Sequence, residues 1–205
     1  MPLRTTVKAS NITNLSDARY CAGMGVEMIG FEMDDTSKNF VNVQKMREIR
    51  NWVAGVQIVG QTESEDLTEI EVLLAAYLPD ILQVSHVSII HKLGKKIPLI
   101  YKVEIDDLAP DELDDLLQLV QGKVEYVLLE SKKGELLNQD WLDFLGLLVA
   151  ANPILLGFGL NATNVAEILG QIPLKGIALA GSHEVRPGYN DFGALMDMLE
   201  MLEED

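Results

Sequence analysis

Short apolar, β-branched runs recur along this chain every 20 to 30 residues or so, each followed by a stretch of helical periodicity. The runs predict strands over Thr6–Ser10, Glu27–Met33, Val56–Gly60, Ile81–Val84, Leu99–Val103, Tyr126–Glu130, Ile154–Gly159 and Gly176–Ala180. The intervening patterns predict helices over Asp17–Gly23, Val43–Trp52, Ser64–Ala76, Val87–Leu93, Pro110–Val120, Gln139–Ala150, Ala162–Leu169 and Asp191–Met201. Pro110 stands at a first helical position with Asp111 and Glu112 in the first turn, and Asn161 is placed to cap the seventh helix. Alternating strands and helices imply a parallel sheet. Eight pairs close a (β/α)8 barrel, an α/β fold that takes residues 1–205 as a single domain, with no linker or low-complexity segment to divide it. An open doubly wound sheet is the rival. It usually carries a glycine-rich turn after the first strand, and Ser10-Asn11-Ile12-Thr13 is not one.

A closed parallel barrel places function at the C-terminal ends of its strands and in the loops that follow. The positions to inspect are Lys8 and Ser10, Glu32 and Asp34, Gln83 and Ser85, Lys102 and Glu104, Glu130, Gly157 and Gly159, and Gly181 and Ser182. The loops after the seventh and eighth strands are the expected phosphate cradle. Gly157, Gly159 and Gly181 let the backbone come close, a helix follows with its N–H groups forward, and Ser182 adds a hydroxyl. The same glycines also serve tight turns at a barrel rim, so the two readings stand side by side.

Charge narrows the partners. A formal net charge of −16 repels nucleic acid and anionic membrane surfaces, while a local cluster of N–H groups still accommodates a small phosphorylated ligand. One cysteine, Cys21, allows no intrachain disulfide, and no signal-like or transmembrane-length segment stands out, so the cytoplasm is the expected compartment. His86, His91 and His183 lie on unrelated segments and make no metal constellation; Glu32, Asp34 and Asp35 read as a solvated loop before they read as a cation site.

Residues 7–20, running Val-Lys-Ala-Ser-Asn-Ile-Thr-Asn into a helix, resemble the opening βα unit of phosphoribosylanthranilate isomerases, which typically read Lys-Ile-Cys-Gly-Ile-Thr-Asn there. Further likeness lies in Gly30-Phe31 with Ser37-Lys38-Asn39-Phe40-Val41, in Gln83-Val84-Ser85-His86, in Gly157-Phe158-Gly159-Leu160-Asn161, and in Glu184, Pro187-Gly188 and Asp191. The resemblance implies an Amadori isomerisation of a phosphoribosyl amine in tryptophan biosynthesis, without metal or organic cofactor, by a monomer or homodimer. It implies that an acid after the sixth strand protonates the ribose ring oxygen and that a base after the first strand acts at the sugar C2. It assigns phosphate to Gly157, Gly159, Leu160, Gly181 and Ser182, and the rest of the substrate to Asn39, Lys8, Gln83 and Lys102.

Three positions depart from the family pattern. Ser10 replaces the catalytic cysteine, Glu130 the aspartate, and Asn39 the arginine associated with the anthranilate carboxylate. A serine hydroxyl does not titrate near neutrality and needs another group to take its proton, which puts roughly 10²–10⁴-fold of base catalysis at stake. Moving the acid by a methylene shifts it by about 1 Å, a displacement able to cost on the order of 10²-fold. Strand alternation points Lys8 to the same side as Ser10, so a Ser–Lys pair is one reading, and an ion pair between Lys8 or Lys102 and Glu104 or Glu130 is the other. The sequence thus leaves a weakly active isomerase beside a non-catalytic paralogue that binds a phosphorylated ligand.

Overall fold

The computed structural model describes residues 3–204 other than 182, 187, 188 and 192, with side chains described outside 182–192. Eight parallel strands close into a barrel: β1 (Thr6–Ser10), β2 (Met28–Glu32), β3 (Gln57–Gln61), β4 (Ile81–Val84), β5 (Leu99–Glu104), β6 (Tyr126–Glu130), β7 (Ile154–Leu156) and β8 (Gly176–Ala180). Closure comes from β1 lying along β8 in continuous register, from Thr6 opposite Gly176 to Ser10 opposite Ala180. The intervening helices are α1 (Leu15–Gly23), α2 (Val43–Arg50), α3 (Leu67–Tyr77), α4 (Val87–Leu93), α5 (Pro110–Val120), α6 (Gln139–Leu148), α7 (Val165–Gln171) and α8 (Gly193–Leu202). No helix among the described residues is long and apolar enough to cross a membrane.

The strand interiors explain why the mouth is polar. Met28, Val59, Ile81, Ile100, Leu128, Leu155 and Ala178 form one buried apolar layer inside the barrel. Two residues further along their strands, side chains return to the same face, and there the chain supplies Gly30, Gln61, Gln83, Lys102, Glu130, Gly157 and Ala180. Strands β3, β4, β5 and β6 therefore pass from hydrocarbon to polar groups within one pleat repeat, while Gly30, Gly157 and Ala180 leave room between them. Outward-facing Val7, Ala9, Ile29, Phe31 and Val127 instead join the larger core between barrel and helices.

Several boundaries move for local reasons. Helix α3 begins at Leu67 rather than Ser64, because Asp66 Oδ1 accepts from the Thr68 N–H at 2.8 Å while Ser64 folds back into the preceding turn. Asn161 does not cap α7; that position is Asn164. Asn161 Oδ1 instead accepts from the N–H groups of Thr163 and Asn164, one turn earlier. Strand β7 stops at Leu156; a short antiparallel pair, β9 (His183–Arg186) with β10 (Tyr189–Asp191), fills the connection after β8, and the last helix, expected from Asp191, begins at Gly193 as α8.

Candidate active site

Ser10 ends β1, and the next residue, Asn11, turns into the left-handed region with φ of 57°. Asparagine tolerates that conformation better than most side chains. The Asn11 N–H donates to Gln61 Oε1 at 3.2 Å, and the Ile12 N–H to the Gly30 carbonyl at 2.8 Å. The exit from β1 is thereby tied to β2 and β3, which fixes where the Ser10 side chain stands. Gly30 makes this possible. A Cβ there would lie 2.5 Å from Gln61 Oε1 and 3.2 Å from Lys8 Nζ.

A cleft of about 820 Å³ opens at the C-terminal end of the barrel, walled by Asn11, Glu32, Asp34, Asn39, Gln61, Glu63, Gln83, Lys102, Glu130, Lys132 and Gly181 among others. A smaller cavity of about 190 Å³ adjoins it, and here Ser10, Lys102, Glu104, Glu130 and Gly157 share the wall. Lys102 pairs with Glu63, and Lys132 with Glu104, so cations and carboxylates from β3, β5 and the loop after β6 bridge the opening. Burial pushes the Glu32 carboxyl up, against the pull of Lys102. Burial acts on Glu63 in the same sense, but the hydrogen bond and charge of Lys102 outweigh it and leave that carboxyl below the usual range.

The structure brings Ser10, Glu130, Asn39, Gln83, Lys102, Gly157 and Gly181 to these two connected spaces. Lys8 is fully buried below them, its Nζ 2.6 Å from Ser10 Oγ. Gly159 and Leu160 wall neither space. Gly159 has φ of 68° and packs on the loop after β6, where a Cβ would stand 2.6 Å from Leu137 Cγ. The N–H groups of Gly157 and Gly181 donate to the Leu129 and Ser10 carbonyls at 2.8 Å each, so both extend the sheet ladder. Ser182 lies outside the described residues, as do Pro187 and Gly188.

Two carboxylates that sequence reasoning did not single out for this purpose organise the rim. Asp34 accepts from Thr62 Oγ1 at 2.6 Å and from the Glu63 N–H at 2.7 Å, clamping the loop after β3. Asp106 accepts from Ser131 Oγ at 2.5 Å and from the Lys132 and Lys133 N–H groups at 2.8 and 3.1 Å, clamping the loop after β6. Those hydrogen bonds, the one from Ser131 foremost, hold the Asp106 carboxyl below its ordinary range. Among the described residues no group of three or more His, Cys, Asp or Glu side chains is placed to hold a metal ion.

The N-(5'-phosphoribosyl)anthranilate isomerase family model matches residues 7–200. The chain belongs to that family. An N-(5'-phosphoribosyl)anthranilate isomerase of Thermotoga neapolitana is 27% identical over 206 residues, covering 95% of this chain and 96% of that one. The crystal structure of the phosphoribosylanthranilate isomerase of Thermotoga maritima superposes with a TM-score of 0.80 at 21% identity, over 97% of this chain and 98% of the other. A phosphoribosylanthranilate isomerase in complex with reduced 1-(o-carboxyphenylamino)-1-deoxyribulose 5-phosphate gives 0.78 at 20% identity, with the same coverage. The (β/α)8 fold is thus that of the family.

Proposed function

We propose that this protein isomerises a phosphoribosyl amine of the N-(5'-phosphoribosyl)anthranilate type, with Glu130 as the acid and Ser10 as the base. The observation that carries this reading is the small cavity whose wall Ser10 and Glu130 share, at the end of the barrel where β1 and β6 deliver them. Glu130 gives a proton to the ribose ring oxygen, the ring opens to an iminium, and Ser10 takes the proton from C2; the resulting enaminol rearranges to the ketone. Burial supplies a second support. Gln83 is 2% exposed, walls the cleft, and its Oε1 has no hydrogen-bond partner. An unpaired buried acceptor costs about 1–3 kcal/mol, which a substrate hydroxyl donating to it would recover. The rim at Gly157 and Gly181 is the part of the expected phosphate end that borders these spaces, and Lys132, which walls both, adds a cation to the same walls.

Asn39 lies in the wall of the cleft without the charge an arginine would bring to an anthranilate carboxylate, a contact of roughly 1.5–3 kcal/mol. A raised KM is the expected consequence. The test is turnover of N-(5'-phosphoribosyl)anthranilate by purified protein, with complementation of a tryptophan auxotroph that lacks the isomerase. Product formation and growth support the reading. Folded protein that gives neither ends it, and a thermal shift with the reduced deoxyribulose 5-phosphate analogue but no turnover marks a binding protein instead.

A further inference from the structure

Lys8 and Ser10 lie two positions apart on β1, so the pleat turns both inward. Lys8 is fully buried, Ser10 is 2% exposed, and Lys8 Nζ stands 2.6 Å from Ser10 Oγ. The charged groups facing Lys8 come from three strands: Glu130 on β6, Glu32 on β2 and Lys102 on β5. Strand β8, its other neighbour, offers only Gly176, Ala178 and Ala180 on that side. No water-filled space is needed to link the two side chains, and Ser10 alone of the pair reaches the cavity.

We propose that Lys8 accepts the Ser10 hydroxyl proton while Ser10 Oγ takes the proton from the substrate's sugar C2, so that the two residues work as one base. The inference rests on the isomerase reading and completes it, because a serine needs such an acceptor. In this step the C2–H electron pair becomes the C1=C2 bond and the iminium π pair moves to nitrogen. The C2 proton goes to Ser10 Oγ, and the serine proton goes to Lys8 Nζ. A cationic iminium, a neutral serine and a neutral amine become a neutral enaminol, a neutral serine and an ammonium. By then Glu130 has given up its own proton, so the new ammonium faces a carboxylate. Lys8 acts through Ser10 and never touches substrate; it is a positioning residue. Burial pushes its amine down to about 8, against the pull of Glu130 and Glu32 and with the help of Lys102. About a tenth of molecules then hold the free amine at pH 7.

The experiment is the pH dependence of kcat/KM for N-(5'-phosphoribosyl)anthranilate with the full chain, Lys8→Arg and Lys8→Met, beside a nuclear magnetic resonance titration of the Lys8 side chain in the unsubstituted chain. The expected result is a rate that climbs and levels near pH 8, a Lys8 titration at the same pH, and a loss of roughly 10²–10⁴-fold with no such limb in Lys8→Arg, whose guanidinium keeps its proton. A Lys8→Arg or Lys8→Met enzyme that keeps both rate and limb overturns the role of Lys8 and leaves the isomerase reading intact. So does a Lys8 signal that stays protonated above pH 10, which needs no variant to fold. Absence of turnover in the unsubstituted chain removes the isomerase reading, and this inference with it.

Discussion

Replacing Lys8 by methionine changes how stability depends on pH, and the size of the change follows from the burial of one amine. In the unfolded chain that amine keeps an ordinary value near 10.5, and in the barrel it falls to about 8. The native state therefore binds fewer protons than the unfolded state between those two values, and stability must rise with pH through that window. This is the reverse of a lysine that gains an ion-pair partner. Below pH 8 both states hold the charge and the burial cost is present in full. Roughly 2.5 pH units at about 1.36 kcal/mol each put that cost near 3 kcal/mol. About 2 kcal/mol of it is relieved between pH 7 and pH 9.5. Lys8→Met keeps an unbranched chain of similar length and cannot titrate. The attraction of Glu130 and Glu32 for the ammonium is already contained in the value of about 8, so it enters the comparison only through that titration. Urea unfolding of both proteins at pH 7 and pH 9.5 should show the natural chain gaining about 2 kcal/mol relative to the variant. A difference that is flat, or that falls as pH rises, would mean that Lys8 holds its proton throughout, and the reasoning from burial would be refuted.

Three further substitutions probe the mouth. Glu130→Gln keeps the shape and removes the acid, and should lower kcat for N-(5'-phosphoribosyl)anthranilate by roughly 10²–10⁴-fold with the thermal midpoint little changed. Gly30→Ala drives a methyl group to 2.5 Å from Gln61 Oε1 and should cost about 1–3 kcal/mol in urea unfolding, with activity falling as Asn11 and Ser10 lose their support. Asp106→Ala removes the acceptor for Ser131 and for two backbone N–H groups, and should speed proteolytic cleavage between residues 131 and 137 and raise KM.

The barrel is readable in this sequence because each strand carries its own signal. Runs such as Thr6–Ser10 and Ile81–Val84 are apolar, β-branched and bounded by turns, and their alternation with helical periodicity admits few topologies. Ser10 and Glu130 could be located from the same logic, since strand ends point to one mouth. What escaped depends on contacts between loops far apart in sequence. Asp34 reads as a solvated acid until the loop after β3 is folded against it, and Asp106 likewise until Ser131 and Lys132 arrive. The depth of Lys8 was hidden for a related reason. Period-two alternation gives the side a residue faces, whereas its burial depends on Gly30 and Gln61 closing over it from the neighbouring strands. The turn at Asn161 shows the limit of local signals: an asparagine before a helix reads as a cap, and here Asn164 holds that place while Asn161 organises the turn before it. The β9–β10 pair fills the connection between β8 and the final helix, where periodicity predicts no element, and only Asp191 falls within the expected helix.

A crystal structure of this protein with the reduced deoxyribulose 5-phosphate analogue measures the geometry on which the chemistry depends. With Ser10 and Glu130 working on one substrate, the sugar C2 should lie within about 3.5 Å of Ser10 Oγ, Glu130 should face the oxygen that closed the ring, and the phosphate should rest against the rim at Gly157 and Gly181. An analogue bound with C2 remote from Ser10, or with Glu130 turned out of contact, would contradict the assignment.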